Sequence, residues 1–379
     1  MKIIVSKSVI EGAANMLSKV INAKNALPIL ADILCEVKDK KMQMTASDSE
    51  VIMSMSIELE TQEGEGRFCV GADLLRNALG QLAEQPVTIL ATTESDMKFT
   101  LQHSTGETFF PLENADEYPL PMAEKYNETL DTLKGQWLTD ALKRCLWATA
   151  NDDLRPIMCG VYFALKDGYL DIVASDGHAL VKSHYSVIDQ VALNRIGSFI
   201  MPKKVAKILG DVTTTDAKVE WNDRWAHVNV GLCDVTFRLI EGKYPNYNSV
   251  IPEDQQLCAI VPRAFIMNSI RKVIPFALDN CGSKLLRMSF EKDKLTLTGE
   301  NFDFQMGAHD TMTIDYPHSP IEIGVNGSTL LTIMAKVCSG QEVCVNMTDA
   351  SRAITIEPSE QDDDCEVTML AMPMMLTDE

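Results

Sequence analysis

Pro28-Ile29-Leu30, Val37-Lys38-Asp39-Lys40 and Ala46-Ser47-Asp48-Ser49 return 128 residues later as Pro156-Ile157-Met158, Leu165-Lys166-Asp167-Gly168 and Ala174-Ser175-Asp176-Gly177. A looser copy runs Lys284-Leu285-Leu286, Phe290-Glu291-Lys292-Asp293 and Thr298-Gly299-Glu300-Asn301. The flanking segments repeat as well. Phe68-Cys69-Val70 leads into Ala72–Leu79, Phe199-Ile200-Met201 into Lys203–Leu209, and Ile323-Gly324-Val325 into Ser328–Ala335. Glu117-Tyr118-Pro119 is answered by Lys243-Tyr244-Pro245. Self-similarity at a fixed period marks one supersecondary unit used several times. The sequence therefore divides into three units, residues 1–126, 127–254 and 255–379.

Each unit reads as helix, strands, helix, strands. Val9, Ile10, Ala13, Leu17, Val20 and Ile21 recur at helical spacing in the first unit. Trp137, Leu138, Leu142, Cys145 and Leu146, then Phe265, Ile266, Ile270, Val273 and Ile274, take their places in the others. Between the helices the period drops to two, as in Met42-Gln43-Met44-Thr45-Ala46 and Leu295-Thr296-Leu297-Thr298. The expected class is α+β: three tandem copies of a domain with two helices and a mostly antiparallel sheet. Helices are expected over 7–21, 72–83, 137–150, 202–210, 262–276 and 328–338.

Composition narrows the function. Apolar residues make up 46% of the chain and aromatics 6%, which suits a core of aliphatics and methionine. No apolar run approaches the roughly 18 residues of a membrane span. Met1-Lys2-Ile3-Ile4-Val5 lacks the h-region and cleavage site of a secretory signal. Ten cysteines are scattered singly, with no C-x-x-C and no clustering with the six histidines. They read as thiols of a protein in the reducing cytoplasm, with no structural metal and no cofactor expected.

The net charge of −20 by itself opposes nucleic-acid binding. Its distribution points the other way. The six expected helices carry twelve basic residues, Lys7, Lys19, Arg76, Lys143, Arg144, Lys203, Lys204, Lys207, Arg263, Arg271, Lys272 and Lys336. Against these stand only Glu11, Asp73 and Asp140, so the acidic excess lies elsewhere in the chain. Charge alone also fits solvated helix faces, since helices tolerate Lys and Arg well. A cationic face repeated once per unit suits phosphates held without reading sequence, inside a ring or arc around a duplex.

The triplication, Ser175-Asp176-Gly177-His178, Gly242-Lys243-Tyr244-Pro245-Asn246-Tyr247 and Met372-Pro373-Met374-Met375-Leu376 together resemble the bacterial β sliding clamp, the β subunit of DNA polymerase III, over essentially the whole chain. The resemblance implies a head-to-tail homodimer whose six domains close a ring around double-stranded DNA, with helices lining the hole. It implies a non-catalytic processivity factor loaded by a clamp loader. Such a factor tethers the polymerase III catalytic subunit and other proteins that carry clamp-binding peptides. No membrane is involved.

Carried over residue by residue, the partner-peptide pocket comprises Ser175, Gly177, His178, Leu180, Pro245, Val250, Leu370, Met372, Pro373, Met374 and Leu376. Flexible, polarizable methionines suit a site that repacks around different apolar ligands. DNA contacts are expected from Lys24, Arg76, Lys143, Lys203, Lys204, Lys207 and Arg271. The ring interface is expected at Thr108, Phe109 and Phe110 and at Pro275 and Phe276. Where the family often has arginine, this chain has Ala179, Ser249 and Met375, which makes the pocket more apolar.

Two clusters offer an enzymatic alternative: His178 beside Asp176, and Asp362-Asp363-Asp364. An S-D-G-H stretch more often shapes a turn than forms a catalytic pair, and an acidic run is more often a solvated loop. No G-x-S-x-G, H-E-x-x-H or phosphate-binding G-x-x-x-x-G-K-[ST] supports chemistry. A repeat-built interaction scaffold is the other rival, separable by ring closure and peptide binding.

Overall fold

The computed structural model describes residues 1–379 except 23, 24, 26, 94–96, 121–124, 153, 167, 187–195, 213, 214, 278–283, 302, 303, 338, 339 and 377–379, and residue 131 through its backbone alone. Six α-helices lie among the described residues: α1 Lys7–Leu17, α2 Ala72–Gly80, α3 Gly135–Cys145, α4 Lys203–Val212, α5 Arg263–Val273 and α6 Gly327–Lys336. All fall where the periodicity places them, and several stop earlier. After α1, Ser18 Oγ donates back to the Ala14 carbonyl at 2.6 Å and the chain turns before reaching Ile21. After α5, Pro275 removes a donor that the next helical turn needs, and Ile274–Phe276 tightens into a 3₁₀ turn. At the start of α6, the Asn326 side chain accepts from the Ser328 and Thr329 amides at 3.0 and 3.1 Å, an N-cap.

The chain forms two compact units, one of Met1–Thr139 with Lys207–Leu239, the other of Asp140–Ala206 with Ile240–Glu379. The first unit holds a five-stranded antiparallel sheet, ordered Thr61–Glu63, Lys2–Ser6, Pro86–Thr92, Lys98–His103, Gly106–Pro111. Its larger sheet has eight strands: Glu128–Leu133, Ala217–Trp221, Trp225–Val230, Cys233–Arg238, Val51–Glu58, Lys41–Ser47, Asp32–Lys38, Gly66–Gly71. The second unit holds an eight-stranded sheet: Gly197–Pro202, Gly160–Lys166, Tyr169–Ser175, Ala179–Ser186, Cys365–Ala371, Ile354–Pro358, Glu342–Met347, Leu257–Pro262. A four-stranded sheet, Met306–Thr313, Lys294–Asn301, Leu285–Glu291, Ile321–Asn326, completes it.

Strand pairing explains why a threefold sequence gives two compact units. Cys233–Arg238 of the middle repeat pairs with Val51–Glu58 of the first, Val235 opposite Met53. Ala179–Ser186 of the middle repeat pairs with Cys365–Ala371 of the third, Val181 opposite Met369. Each eight-stranded sheet thus runs through a repeat join, and the middle repeat is shared out between the two. Alternation sets the core: Met42, Met44, Leu295 and Leu297 are fully buried while Lys41 and Gln43 face solvent. α1 packs beside α2 and α5 beside α6, through Ile10, Ala13, Ala14 and Leu17 in α1 and Ile266, Ile270 and Val273 in α5. Val9 lies outside that stripe and is 43% exposed. Among the described residues no helix is long and apolar enough to cross a membrane.

Candidate peptide pocket and cationic helix faces

In the second unit, strands Tyr169–Ser175 and Ala179–Ser186 are joined by the turn Ser175–Ala179. The Asp176 carboxylate accepts from the His178 and Ala179 amides, both at 2.8 Å, and Ser175 Oγ accepts from the Gly177 amide at 3.1 Å. Gly177 sits at φ +90, where glycine carries no Cβ penalty. The same turn recurs in the first repeat, with Asp48 Oδ1 accepting from the Glu50 and Val51 amides and Ser49 at φ +78. Asp176 is thus engaged in shaping backbone, not in activating His178.

The turn presents its residues to the join with the third repeat. Leu180 stands opposite Leu370 and Ala179 opposite Ala371. One residue on, the Met372 amide donates to the His178 carbonyl at 2.8 Å. The segment from Gly242 to Val250 crosses over these strands, its Tyr244 ring stacked on Tyr162 at 4.6 Å. Val173, Leu180, Ile200, Tyr244, Ala353 and Leu370 form the apolar floor beneath.

The result is a cavity of about 190 Å³ lined by Met158, Ser175, Gly177, His178, Ala179, Leu180, Tyr244, Pro245, Asn246, Tyr247, Val250, Leu370 and Met372. Eight of the eleven residues expected from sequence meet here. Pro373, Met374 and Leu376 do not line it. The chain turns there onto the edge of Ile321–Asn326, where the Met374 amide donates to the Gly324 carbonyl at 2.7 Å. Met158, Tyr244, Asn246 and Tyr247 were missed, although each lies in a segment quoted for the repeats or for the family resemblance; only the fold shows that they face the cavity. Ala179 puts a methyl group where an arginine would supply charge, and Met375 is 91% exposed beyond the rim.

The cationic residues are distributed over several helices. Arg76, Lys143, Lys207 and Arg271 are exposed on α2, α3, α4 and α5. Arg76 is steadied by Asn15 at 3.0 Å and Asp73 at 3.3 Å, and Arg271 by Asn268 at 3.3 Å. Lys203 and Lys204 open α4, and Lys203 Nζ donates to Asn151 Oδ1 at 2.8 Å. A helix N-terminus disfavours cations, so this pair is placed against local helix electrostatics. Lys24 lies outside the described residues. Other basic residues counted from sequence are engaged within the protein, Lys19 with Asp211 at 2.7 Å and Lys272 with Asp310 at 3.0 Å among them. Arg263 donates to the carbonyls of Met334 and Ala335 at the end of α6, and Lys7 pairs with Glu11 at 2.6 Å.

Of the expected interface residues, Thr108 and Phe109 are exposed on the edge strand Gly106–Pro111, with Phe109 61% exposed under Lys98 Nζ at 4.1 Å from its ring centroid. Phe110 is a correction. Alternation along the strand turns it inward, where it is buried and stacked on Phe99 at 4.8 Å. Pro275 and Phe276 are exposed after α5.

No group of three or more His, Cys, Asp or Glu among the described residues is placed to hold a metal ion. Burial pushes the thiols of Cys69, Cys145 and Cys233 up to about 12, the reverse of an activated nucleophile.

Sequence profiles of the DNA polymerase III beta subunit match in series: its N-terminal domain over residues 1–122, central domain over 132–246 and C-terminal domain over 248–375. The chain belongs to the DNA polymerase III beta subunit family. Relatives agree along the full length. The beta sliding clamp of Haemophilus influenzae is 26% identical over 368 residues, 94% of this chain and 95% of that protein. That of Vibrio cholerae is 24% identical over 379 residues, 97% and 99% of the two. Among solved structures, a DnaN sliding clamp from Pseudomonas aeruginosa bound to griselimycin superposes with a TM-score of 0.92 at 19% identity, covering 99% of this chain and all of that one. The DNA polymerase III beta subunit of Thermotoga maritima gives 0.88 at 21% identity, with the same coverage. Family membership thus accounts for three tandem clamp domains built from six helices and antiparallel sheets.

Proposed function

We propose that this sliding clamp, a non-catalytic processivity factor of DNA replication, holds linear peptides of its partners in the cavity lined by Leu180, Leu370 and Met372. The single observation that carries the reading is the register across the repeat join. It sets apolar side chains of two repeats around one opening, with backbone polar groups already satisfied by the Asp176 turn. An apolar concavity with few polar groups is the ordinary form of a peptide-anchor site. The partners are the polymerase catalytic subunit, the clamp loader and other proteins with such peptides, in the cytoplasm.

The functional domains follow the repeats, 1–126, 127–254 and 255–379, two chains closing a six-domain ring. Gly106–Pro111 and Met306–Thr313 each end a sheet, with Phe109 and Met306 exposed beside unpaired backbone. An edge of this kind calls for a partner strand. Head-to-tail pairing of one protomer's first edge with its partner's second covers both of these edges, with Thr108, Pro275 and Phe276 at the seam. The hole is lined by Arg76, Lys143, Lys203, Lys204, Lys207 and Arg271, which meet phosphates and not base edges. The acidic remainder of the chain discourages DNA from wrapping outside.

Fluorescence anisotropy with a labelled Q-L-x-L-F-type peptide, serine at x, tests the pocket. Saturable binding by the intact chain is expected. Met372→Asp, at a 43% exposed position where folding tolerates a charge, should raise Kd more than about tenfold. An intact chain that shows no saturable binding refutes the reading.

A further inference from the structure

The Tyr247 wall of the cavity is held in place from behind. Tyr247 opens the 3₁₀ turn Tyr247–Val250, and the rest of the Gly242–Val250 segment has no regular ladder to fix it. Its Oη donates to Asp171 Oδ2 at 2.6 Å. Asp171 stands mid-strand, directly opposite His184, whose Nδ1 bonds the other carboxylate oxygen. Lys182 Nζ lies 3.6 Å from the same carboxylate, 5.8 Å from the Tyr247 ring centroid and 3.5 Å from Asn248 Oδ1. Tyr169 stacks on His184 at 4.8 Å.

Alternation explains the grouping: the opposed pairs Asp171–His184, Val173–Lys182 and Ser175–Leu180 all face one side of the sheet. The strands that hold Tyr247 therefore also carry the floor, two and four residues away. With its side chain 14% exposed, Asp171 needs these partners to stay ionised. Burial pushes its carboxyl up, but the bonds from His184 and Tyr247 and the charge of Lys182 outweigh that and hold it below the usual carboxylate value.

We propose that Asp171 is a positioning residue for peptide binding, anchoring Tyr247 so that the cavity wall is set before a peptide arrives. The inference rests on the peptide reading above and adds to it a residue that touches no ligand. Binding to a preformed wall avoids the cost of ordering it at the moment of association. Without the carboxylate, Tyr247 loses its charged acceptor, and Lys182 is free to draw the turn toward solvent.

The test is an anisotropy titration of the full chain with the same Q-L-x-L-F-type peptide. It compares wild type, Asp171→Ala, Asp171→Asn, Tyr247→Phe and the double variant Asp171→Ala/Tyr247→Phe. A charge-assisted bond of this kind predicts a Kd about fivefold higher for Asp171→Ala and for Tyr247→Phe. The double variant should be no weaker than either single one, because both remove one coupled contact. Asp171→Asn keeps an acceptor and should recover part of the loss. Tyr247→Phe should melt with wild type, which separates positioning from general stability. A wild-type Kd in Asp171→Ala and Tyr247→Phe, or fully additive losses, overturns the inference while leaving the pocket intact. Failure of the wild-type chain to bind removes the peptide reading and this inference with it.

Discussion

Asp32→Asn should stabilise the protein at neutral pH and lose that advantage in acid. Asp32 opens strand Asp32–Lys38 opposite Gly71, half-buried, and among the described residues its carboxyl takes no hydrogen bond. Desolvation, and then the nearby Glu113 carboxylate, raise it from 3.8 to about 6. An acid raised in the folded state keeps its proton while the unfolded chain has already lost it. Between about pH 4 and 6 the folded state then binds more protons, and stability falls as pH rises. A displacement of about 2 would cost about 3 kcal/mol at a fully shielded site. Asp32 is only partly buried, and screening by water reduces that to about 1 kcal/mol. Asparagine avoids the charge at similar volume, so the melting temperature at pH 7.5 should rise by about 2–4 °C for a unit of this size. Calorimetric melting at pH 7.5 and 4.5 reads both halves of the claim. An equal gain at the two pH values, or a loss at pH 7.5, would refute the reasoning.

Two further outcomes follow from the cationic helices and the sheet edge. Lys203→Glu/Lys204→Glu should leave melting unchanged or raise it, since acids suit a helix N-terminus by about 0.3–1 kcal/mol each. Retention on circular DNA should nevertheless weaken, and its logarithmic salt slope become shallower by about 1.8 for two phosphate contacts; an unaltered slope would remove these lysines from the DNA surface. Phe109→Asp alters a side chain that is 61% exposed in the single chain, so folding should hold. Association should fall by about 2 kcal/mol for the lost apolar burial, visible as monomer in sedimentation velocity; an undiminished dimer would place the seam elsewhere.

The repeats, the α+β class and the six helices were legible in the sequence because each rests on short-range periodicity. Ile10, Ala13 and Leu17 mark a buried helix stripe whatever lies beneath it, and Met42 and Met44 mark one face of a strand. The Ser175–Gly177 turn was legible for the same reason, its hydrogen bonds being closed within four residues. Pairing between distant strands has no local signature. That Leu180 meets Leu370, that Tyr247 turns onto Asp171, and that Met374 leaves the cavity for the edge at Gly324 depend on register across the repeat joins. So does the burial of Phe110 beside an exposed Phe109, since a one-residue difference in facing separates core from surface. The sequence determined the parts and their number; the tertiary structure decided which faces meet, because side-chain packing across distant strands sets the register that local propensity leaves open.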